Sequence, residues 1–503
     1  MTSTTSQAGP LHLALLLALF AGVAFGQGFE CPNNNGQYPD PENCRIFYTC
    51  SNGIKYTQRC AGGAFYDGSK HECVDRHIKG GVKCGPQPVT ERPVTTVDPF
   101  AAEPCNTQAC RLPECYCSRD GLRIPAGLTR DQIPQMILIT FDGAVNALNF
   151  PKYQSILRNV TFSNPDGCPL KATFFLSHEY QNYQQVEELY SEGHEMAVGS
   201  LTREAGLEDH LEDRWTGEMV SMRAILGYFA GVRDIDILGQ RAPHLKPGRN
   251  AQFEVLSDYG FDYDSSTNVP PQDVPVWPYT LDYQIPHECR SGSCPTRSFP
   301  GIWEFPMNSH YQDRDYLGGF CPYLDQCVLT FLSEVEIFNW LKKDFERHYT
   351  QNKAPYQLSL TANWFADGQP EYAKGLQMFM EYTQQFDDIY YVSMNQAKQW
   401  MQDPQTLDNL RNFEPWKCTK ELPVLSCVNG KSCKLGFSPD LEAANGGGTR
   451  YMVTCSSCPN VFPWLYDSQG IGSDIPDTYE KTYQSRIQPQ TPAIIQPDPN
   501  QVL

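Results

Sequence analysis

A chain of 503 residues exceeds what one ordinary hydrophobic core organises, so two or three domains are expected. With 40% hydrophobic and 12% aromatic residues it has ample material for packed cores, which excludes a globally disordered chain. A formal charge of -19 argues against nucleic-acid binding and a polybasic membrane surface; no nucleic-acid or membrane partner is expected, and a cationic polymer would be tolerated or attracted.

Residues 1–26 read as a secretory signal. Leu11 to Phe25 is an apolar run of h-region length, and Ala24-Phe25-Gly26 supplies a small-residue cleavage site before Gln27, although no Lys or Arg flanks it. A membrane anchor needs about 20 apolar residues, more than this run, and no other stretch is apolar enough to span. The 20 cysteines, even in number and clustered, fit an oxidising extracellular compartment. Asn159-Val160-Thr161 is the glycosylation sequon, consistent with secretion.

Within the next segment, residues 27–85, stand Cys31, Cys44, Cys50, Cys60, Cys73 and Cys84. A module of this size buries too little apolar surface to fold unaided, so disulfides are the expected staple. Between the cysteines lie Tyr38-Pro39-Asp40-Pro41, Phe47-Tyr48-Thr49 and Phe65-Tyr66-Asp67. Spacing and aromatics together resemble the peritrophin-A type chitin-binding domain. That resemblance implies aromatic rings stacked on the apolar faces of N-acetylglucosamine. Tyr48, Phe65 and Tyr66 are the first candidates and Phe47 and Tyr38 the next, though each could equally belong to the module's small core. Residues 86–104, with five prolines from Pro86 to Pro104, read as a semi-rigid linker. Cys105, Cys110, Cys115 and Cys117 could suggest zinc, but the compartment and the absence of two separated pairs favour disulfides.

From Gln132 to about Asp403, within a domain placed at residues 105–405, short apolar strands alternate with helical segments, the signature of repeated βα units. Candidate strands are Met136–Asp142, Ala172–Ser177, Glu195–Ser200, Ile237–Arg241, Phe261–Asp264, Ile302–Pro306, Tyr356–Leu360 and Ile389–Ser393. Candidate helices are Tyr183–Glu192, Glu218–Phe229, Glu334–Tyr349 and Pro370–Phe386. Residues 406–472 form a cysteine-bearing extension. Its cysteines (Cys418, Cys427, Cys433, Cys455, Cys458) are odd in number, as are those of the preceding segment (Cys168, Cys289, Cys294, Cys321, Cys327). One bridge joining the two is therefore expected, with Cys168 the candidate. Residues 473–503, rich in Pro, Gln and Asp, are expected to be disordered.

The strand Met136-Ile137-Leu138-Ile139 runs into Thr140-Phe141-Asp142-Gly143, a buried strand that delivers one carboxylate to its C-terminal mouth. This stretch resembles the first motif of the polysaccharide deacetylases, the family that contains the arthropod chitin deacetylases. Pro113-Glu114-Cys115-Tyr116-Cys117-Ser118 resembles the opening segment of the arthropod members. The resemblance implies a distorted (β/α) barrel of the deacetylase type, so the expected fold is α/β, with a small disulfide-stapled, β-rich chitin-binding module. It also implies amide hydrolysis with one Asp as base, an Asp and two His on a divalent metal, and a later His as acid. The base position is Asp142. The neighbouring ligand position holds Gly143, and the two His positions after Val198 hold Gly199 and Arg203. The acid position, two residues before Asn363-Trp364-Phe365, holds Thr361. Glycine offers no side-chain ligand, arginine adds a fixed positive charge, and threonine does not titrate near neutral pH.

Arg241-Ala242-Pro243-His244 matches the motif whose Arg orients the base, so Arg241 is expected to pair with Asp142, and His244 is a candidate for the cleft. Trp277 and Trp364 are candidates for sugar contact, although each could belong to the core. His178, Glu179, His194 and Glu195 could suggest a metal cluster, but similar strings occur in members that keep the usual ligands, so a structural role is favoured. The reading is a secreted protein binding chitin or partly deacetylated chitin, with a degenerate barrel site, no cofactor and little or no deacetylase activity. The alternative is an active chitin deacetylase with a rearranged zinc or cobalt site. A third possibility is a matrix protein whose barrel binds nothing.

Overall fold

The structure, a computed structural model, describes residues 31–40, 45–51, 54–60, 65–74, 98, 100–158, 162–312, 319–330, 333–418, 422–437 and 448–472. The expected signal segment, most of the linker, Cys44, Cys84, Asn159 and the 473–503 tail lie outside the described residues. The chain forms two compact units, residues 1–99 and 100–503. The expected linker end at residue 104 is therefore corrected: Ala102 is buried and its N–H donates to the Thr296 carbonyl at 2.9 Å, within the second unit.

In the first unit, strands Gly36–Pro39, Ile46–Ser51 and Ile54–Arg59 form an antiparallel sheet. Phe65–Asp67 and Glu72–Val74 pair as a hairpin. Alternation places Ile46, Tyr48 and Cys50 on one buried face. Cys31–Cys50 and Cys60–Cys73 staple the module. Tyr66 is also buried and stacks on Phe47, with ring centroids 4.2 Å apart.

The second unit is built on a nine-stranded sheet. Its order is Tyr279–Thr280, Trp303–Glu304, Tyr263–Asp264, Gly239–Gln240, Glu195–Val198, Ala172–Leu176, Gln135–Gly143 and Tyr356–Leu360, with Ile389–Tyr391 also paired to Gln135–Gly143. Every pairing is parallel except that of the first strand. The two end strands do not pair, so the barrel is open on one side. All eight expected strands are in the sheet, although three shrink to two residues. Tyr279–Thr280 was not anticipated, nor were helices Phe150–Leu157, Arg249–Asp258 and Met394–Gln402.

Gln135–Gly143 is buried along its length until Asp142 and Gly143, because strands and helices cover both faces. The register aligns Gly143 with Leu176, Leu176 with Val198, Val198 with Gln240, and Phe141 with Leu360. Asp142, Gly199, Arg241 and Thr361 therefore meet at one C-terminal rim.

The extension packs into the same core through Phe437, Met452, Phe462 and Trp464. It is tied internally by Cys427–Cys455 and Cys433–Cys458. The bridge implied by the odd counts is Cys168–Cys418, and Cys105–Cys117 and Cys110–Cys115 are disulfides rather than zinc ligands. Cys168–Cys418 spans 250 residues, and a closed loop of that length restricts the unfolded chain by about 5–6 kcal/mol in the chain-entropy account. The double variant Cys168→Ser/Cys418→Ser is expected to unfold at clearly lower denaturant in an equilibrium titration. An unchanged midpoint would show that the bridge adds nothing.

Candidate functional site

The rim opens into a cleft of about 860 Å³. Its floor comes from the Gln135–Gly143 strand and the loop after it, one side from residues 177–182, another from 201–203 and 361–363, and its outer wall from Tyr451, Met452 and Val453 of the extension. At the floor lies Asp142, its side chain 8% exposed, against a fully buried Arg241. Arg241 Nη1 donates to Asp142 Oδ1 at 2.6 Å and to Thr140 Oγ1 at 2.9 Å. Nη2 donates to Ser265 Oγ and Nε to the Ser265 carbonyl, each at 3.0 Å. The guanidinium lies 3.9 Å from the Phe175 ring centroid. Burial alone would lower the pKa of Arg241, but Asp142 and its neighbours hold it above the ordinary value.

Asp142 has a second partner that the sequence did not reveal. Tyr323 Oη donates to Oδ2 at 2.8 Å, and burial together with the Asp142 charge pushes the phenol pKa well up. Tyr323 stands in a loop closed by Cys321–Cys327. The same loop supplies Asp325, which accepts from Thr361 Oγ1 at 2.6 Å and from its N–H at 3.0 Å. The residue at the acid position is thus engaged as a helix cap, since Thr361 Oγ1 also accepts from the Asn363 N–H. The cysteine pair bracketing Pro322-Tyr323-Leu324-Asp325-Gln326 is the signal that could have exposed both residues.

The ligand positions do not fit a metal. Gly143 has φ +115°, a conformation that strains any side-chain-bearing residue. A Cβ on Gly199 would stand 3.0 Å from the Phe175 carbonyl oxygen and 3.1 Å from that of Leu176, closer than a side chain tolerates without backbone movement. Arg203 brings a cation instead: its Nη1 lies 3.6 Å from where a Gly143 Cβ would be. Among the described residues no group of three His, Cys, Asp or Glu side chains is placed to hold a metal ion.

The other histidine and glutamate candidates are structural. His178 is buried, with Nδ1 2.5 Å from the Tyr183 hydroxyl and its ring stacked on Phe462. His194 Nδ1 accepts from the Ala172 N–H at 3.2 Å. Burial lowers both pKa values to about 3. Glu195 takes hydrogen bonds from Tyr263, Thr173 and the Asn395 N–H. Glu179 pairs with Arg450 at 2.8 Å.

Several sequence expectations require correction. Trp277 and Trp364 are both 0% exposed, the first stacked on Trp400 and the second on Tyr372, so neither offers a ring to a sugar. His244 is exposed on a turn with φ 58° and is not among the residues lining the cleft. In the first unit Tyr48 and Tyr66 are core: Tyr48 is 2% exposed with its hydroxyl bonded to Asp40, and Tyr66 is 1% exposed. Tyr38, Phe47 and Phe65 remain half-buried. Among the described residues of this unit the exposed ring is Tyr56, 52% accessible, two residues from the equally open Ile54 on the same strand face.

Residues 31–84 match the family model described as the chitin binding Peritrophin-A domain. Over 487 residues, covering 86% of this chain and 88% of the relative, the sequence is 35% identical to chitin deacetylase 1 of Bombyx mori. The chain belongs to the chitin deacetylase family. It is also 32% identical to chitin deacetylase 8 of Bombyx mori, over 73% of this chain and 94% of that one. Among solved structures, a polysaccharide deacetylase from Mycobacterium smegmatis aligns at TM-score 0.37 and 16% identity, over 58% of this chain and 94% of that one. The fold assignment itself stands on the strand order and register above.

Removing one partner of a buried ion pair costs about 3–5 kcal/mol. Asp142→Ala leaves the Arg241 guanidinium without its carboxylate and is expected to lower the melting temperature clearly in calorimetry. A melting temperature equal to the wild type would show that the pair carries no structural weight.

Proposed function

We propose that this chain is a secreted chitin-binding member of the chitin deacetylase family whose barrel has exchanged hydrolysis for binding. The observation that carries the reading is the state of the rim: Asp142 and Arg241 are kept in a clamped pair while Gly143, Gly199 and Arg203 fill the ligand positions. Amide hydrolysis by the family route needs a Lewis acid on the carbonyl and a proton donor for the leaving amine. The residues here supply neither, because Arg203 contributes a fixed cation and Thr361 is held by Asp325. The abundant disulfides support an extracellular setting. No helix among the described residues is long and apolar enough to cross a membrane.

Acetate release from a soluble chitin tetramer, with and without added zinc or cobalt, tests the hydrolytic half. The expected rate is that of buffer alone, and metal-stimulated release would promote the rearranged-site enzyme.

The amino-terminal module supplies attachment to the polymer through the exposed Tyr56 rather than through Tyr48 or Tyr66. Tyr56→Ala in the full chain is expected to weaken retention on chitin beads several-fold with no change in melting temperature, since a surface ring is removed from a sugar platform and not from a core. Retention equal to the wild type would move the platform elsewhere.

A further inference from the structure

The cleft has three charged lining residues: Asp142, Glu179 and Arg203. Asp142 is neutralised by Arg241 and Glu179 is paired with Arg450. Arg203 is exposed, and its guanidinium has no hydrogen bond or ion pair with any described residue. Its backbone is fixed, with φ 56° and the Arg203 N–H donating to Ser200 Oγ at 3.1 Å. A left-handed φ on a non-glycine residue is a cost that surrounding structure must sustain. In a protein of formal charge -19, the one unpaired charge among the residues lining this cleft is thus positive, with the Asp325 carboxylate engaged behind Thr361.

That local excess selects a ligand. A guanidinium has only donors and suits an oxygen acceptor. An N-acetylglucosamine unit carries a neutral acetamide with a carbonyl acceptor, whereas its deacetylated counterpart carries an amine that is an ammonium in mildly acidic solution, which a neighbouring guanidinium repels. The remaining walls suit a sugar: the Asn146, Asn182 and Asn363 amides offer donors and acceptors, and the exposed rings of Tyr180 and Tyr451 face solvent at the mouth. We infer that Arg203 reads the acetyl group, its guanidinium donating to the acetamide carbonyl oxygen of a bound N-acetylglucosamine unit, so that the cleft distinguishes acetylated from deacetylated chitin. The inference rests on the non-hydrolytic reading of the barrel.

The full chain allows a clean test, because residues 1–99 contain no tryptophan, and all eight tryptophans lie in the second unit. Intrinsic tryptophan fluorescence therefore reports on the barrel alone, with Trp464 beside Thr202 and Glu179 in an adjoining pocket. Titration with a fully acetylated tetramer, a fully deacetylated tetramer and an acidic galacturonate tetramer at pH 5.5, where the amines are protonated and the uronates ionised, is expected to give wild-type binding about ten-fold or more tighter for the acetylated sugar, the range of one hydrogen bond to a charged group. Arg203→Gly, which tolerates the positive φ, is expected to lose the preference while keeping its melting temperature. Arg203→Glu is expected to reverse it toward the deacetylated tetramer, a gain that a merely structural role cannot produce. Equal wild-type affinity for the two tetramers, tighter binding of the acidic one, a preference retained in Arg203→Gly, or no fluorescence change with any sugar at millimolar concentration would overturn the inference. Acetate release in the same samples would defeat the non-hydrolytic reading instead, independently of the Arg203 comparison.

Discussion

A fully buried guanidinium must be surrounded by acceptors, and the cleft floor is arranged around that requirement. Arg241 reaches Thr140 and Asp142 from the central strand and both the backbone and hydroxyl of Ser265 from a neighbouring one. Four hydrogen bonds and one ring face leave little freedom for the side chain, and none of them can be dropped without exposing a charge to low dielectric. This constraint fixes Asp142 at the strand mouth whether or not a reaction takes place there. It offers a physical reason for one carboxylate to persist beside positions that have lost theirs: Asp142 has a structural partner in Arg241, whereas a ligand carboxylate at residue 143 would have served the metal.

At two of the ligand positions the backbone, as well as the residue type, stands against a metal ligand. Gly143 adopts a φ that a side chain strains, and Gly199 is pressed against two carbonyl oxygens of the adjacent strand. Restoring an Asp and a His at these places would therefore meet steric cost before any metal arrived. Arg203 completes the exchange, because its charge approaches the space from which those ligands are missing. The extension contributes to the same cleft, placing Tyr451, Met452 and Val453 on its wall, and the Cys168–Cys418 bridge fastens the extension to the barrel.

The alternation of strands and helices was legible because Met136–Asp142, Ala172–Leu176 and Tyr356–Leu360 are apolar runs, whereas the barrel itself was implied by the family resemblance and the helices Phe150–Leu157, Arg249–Asp258 and Met394–Gln402 went unread. Asp142 and its pairing with Arg241 were legible through the motifs that hold them. Tyr323 and Asp325 were not, since they reach the rim from a disulfide-closed loop far from either motif, where no periodicity points to a partner. The aromatic assignments failed for a related reason. Phe47-Tyr48 places adjacent rings on opposite faces of one strand: Phe47 stacks on Tyr66 of the hairpin and stays half-buried while Tyr48 is buried on the other face, and alternation alone does not say which ring is covered. Trp277 and Trp364 sit in segments that resemble family motifs, but their bulk is used in packing against Trp400 and Tyr372.

A metal at this rim would have to be held where a fixed cation and two glycines stand at the family's ligand positions. Elemental analysis of the protein, purified without chelators and dialysed against metal-free buffer, addresses it most directly. The account predicts far less than one equivalent of zinc, cobalt or any other divalent transition metal per chain. One equivalent of zinc or cobalt retained through dialysis would contradict it, because a site would then exist that Gly143, Gly199 and Arg203 cannot form.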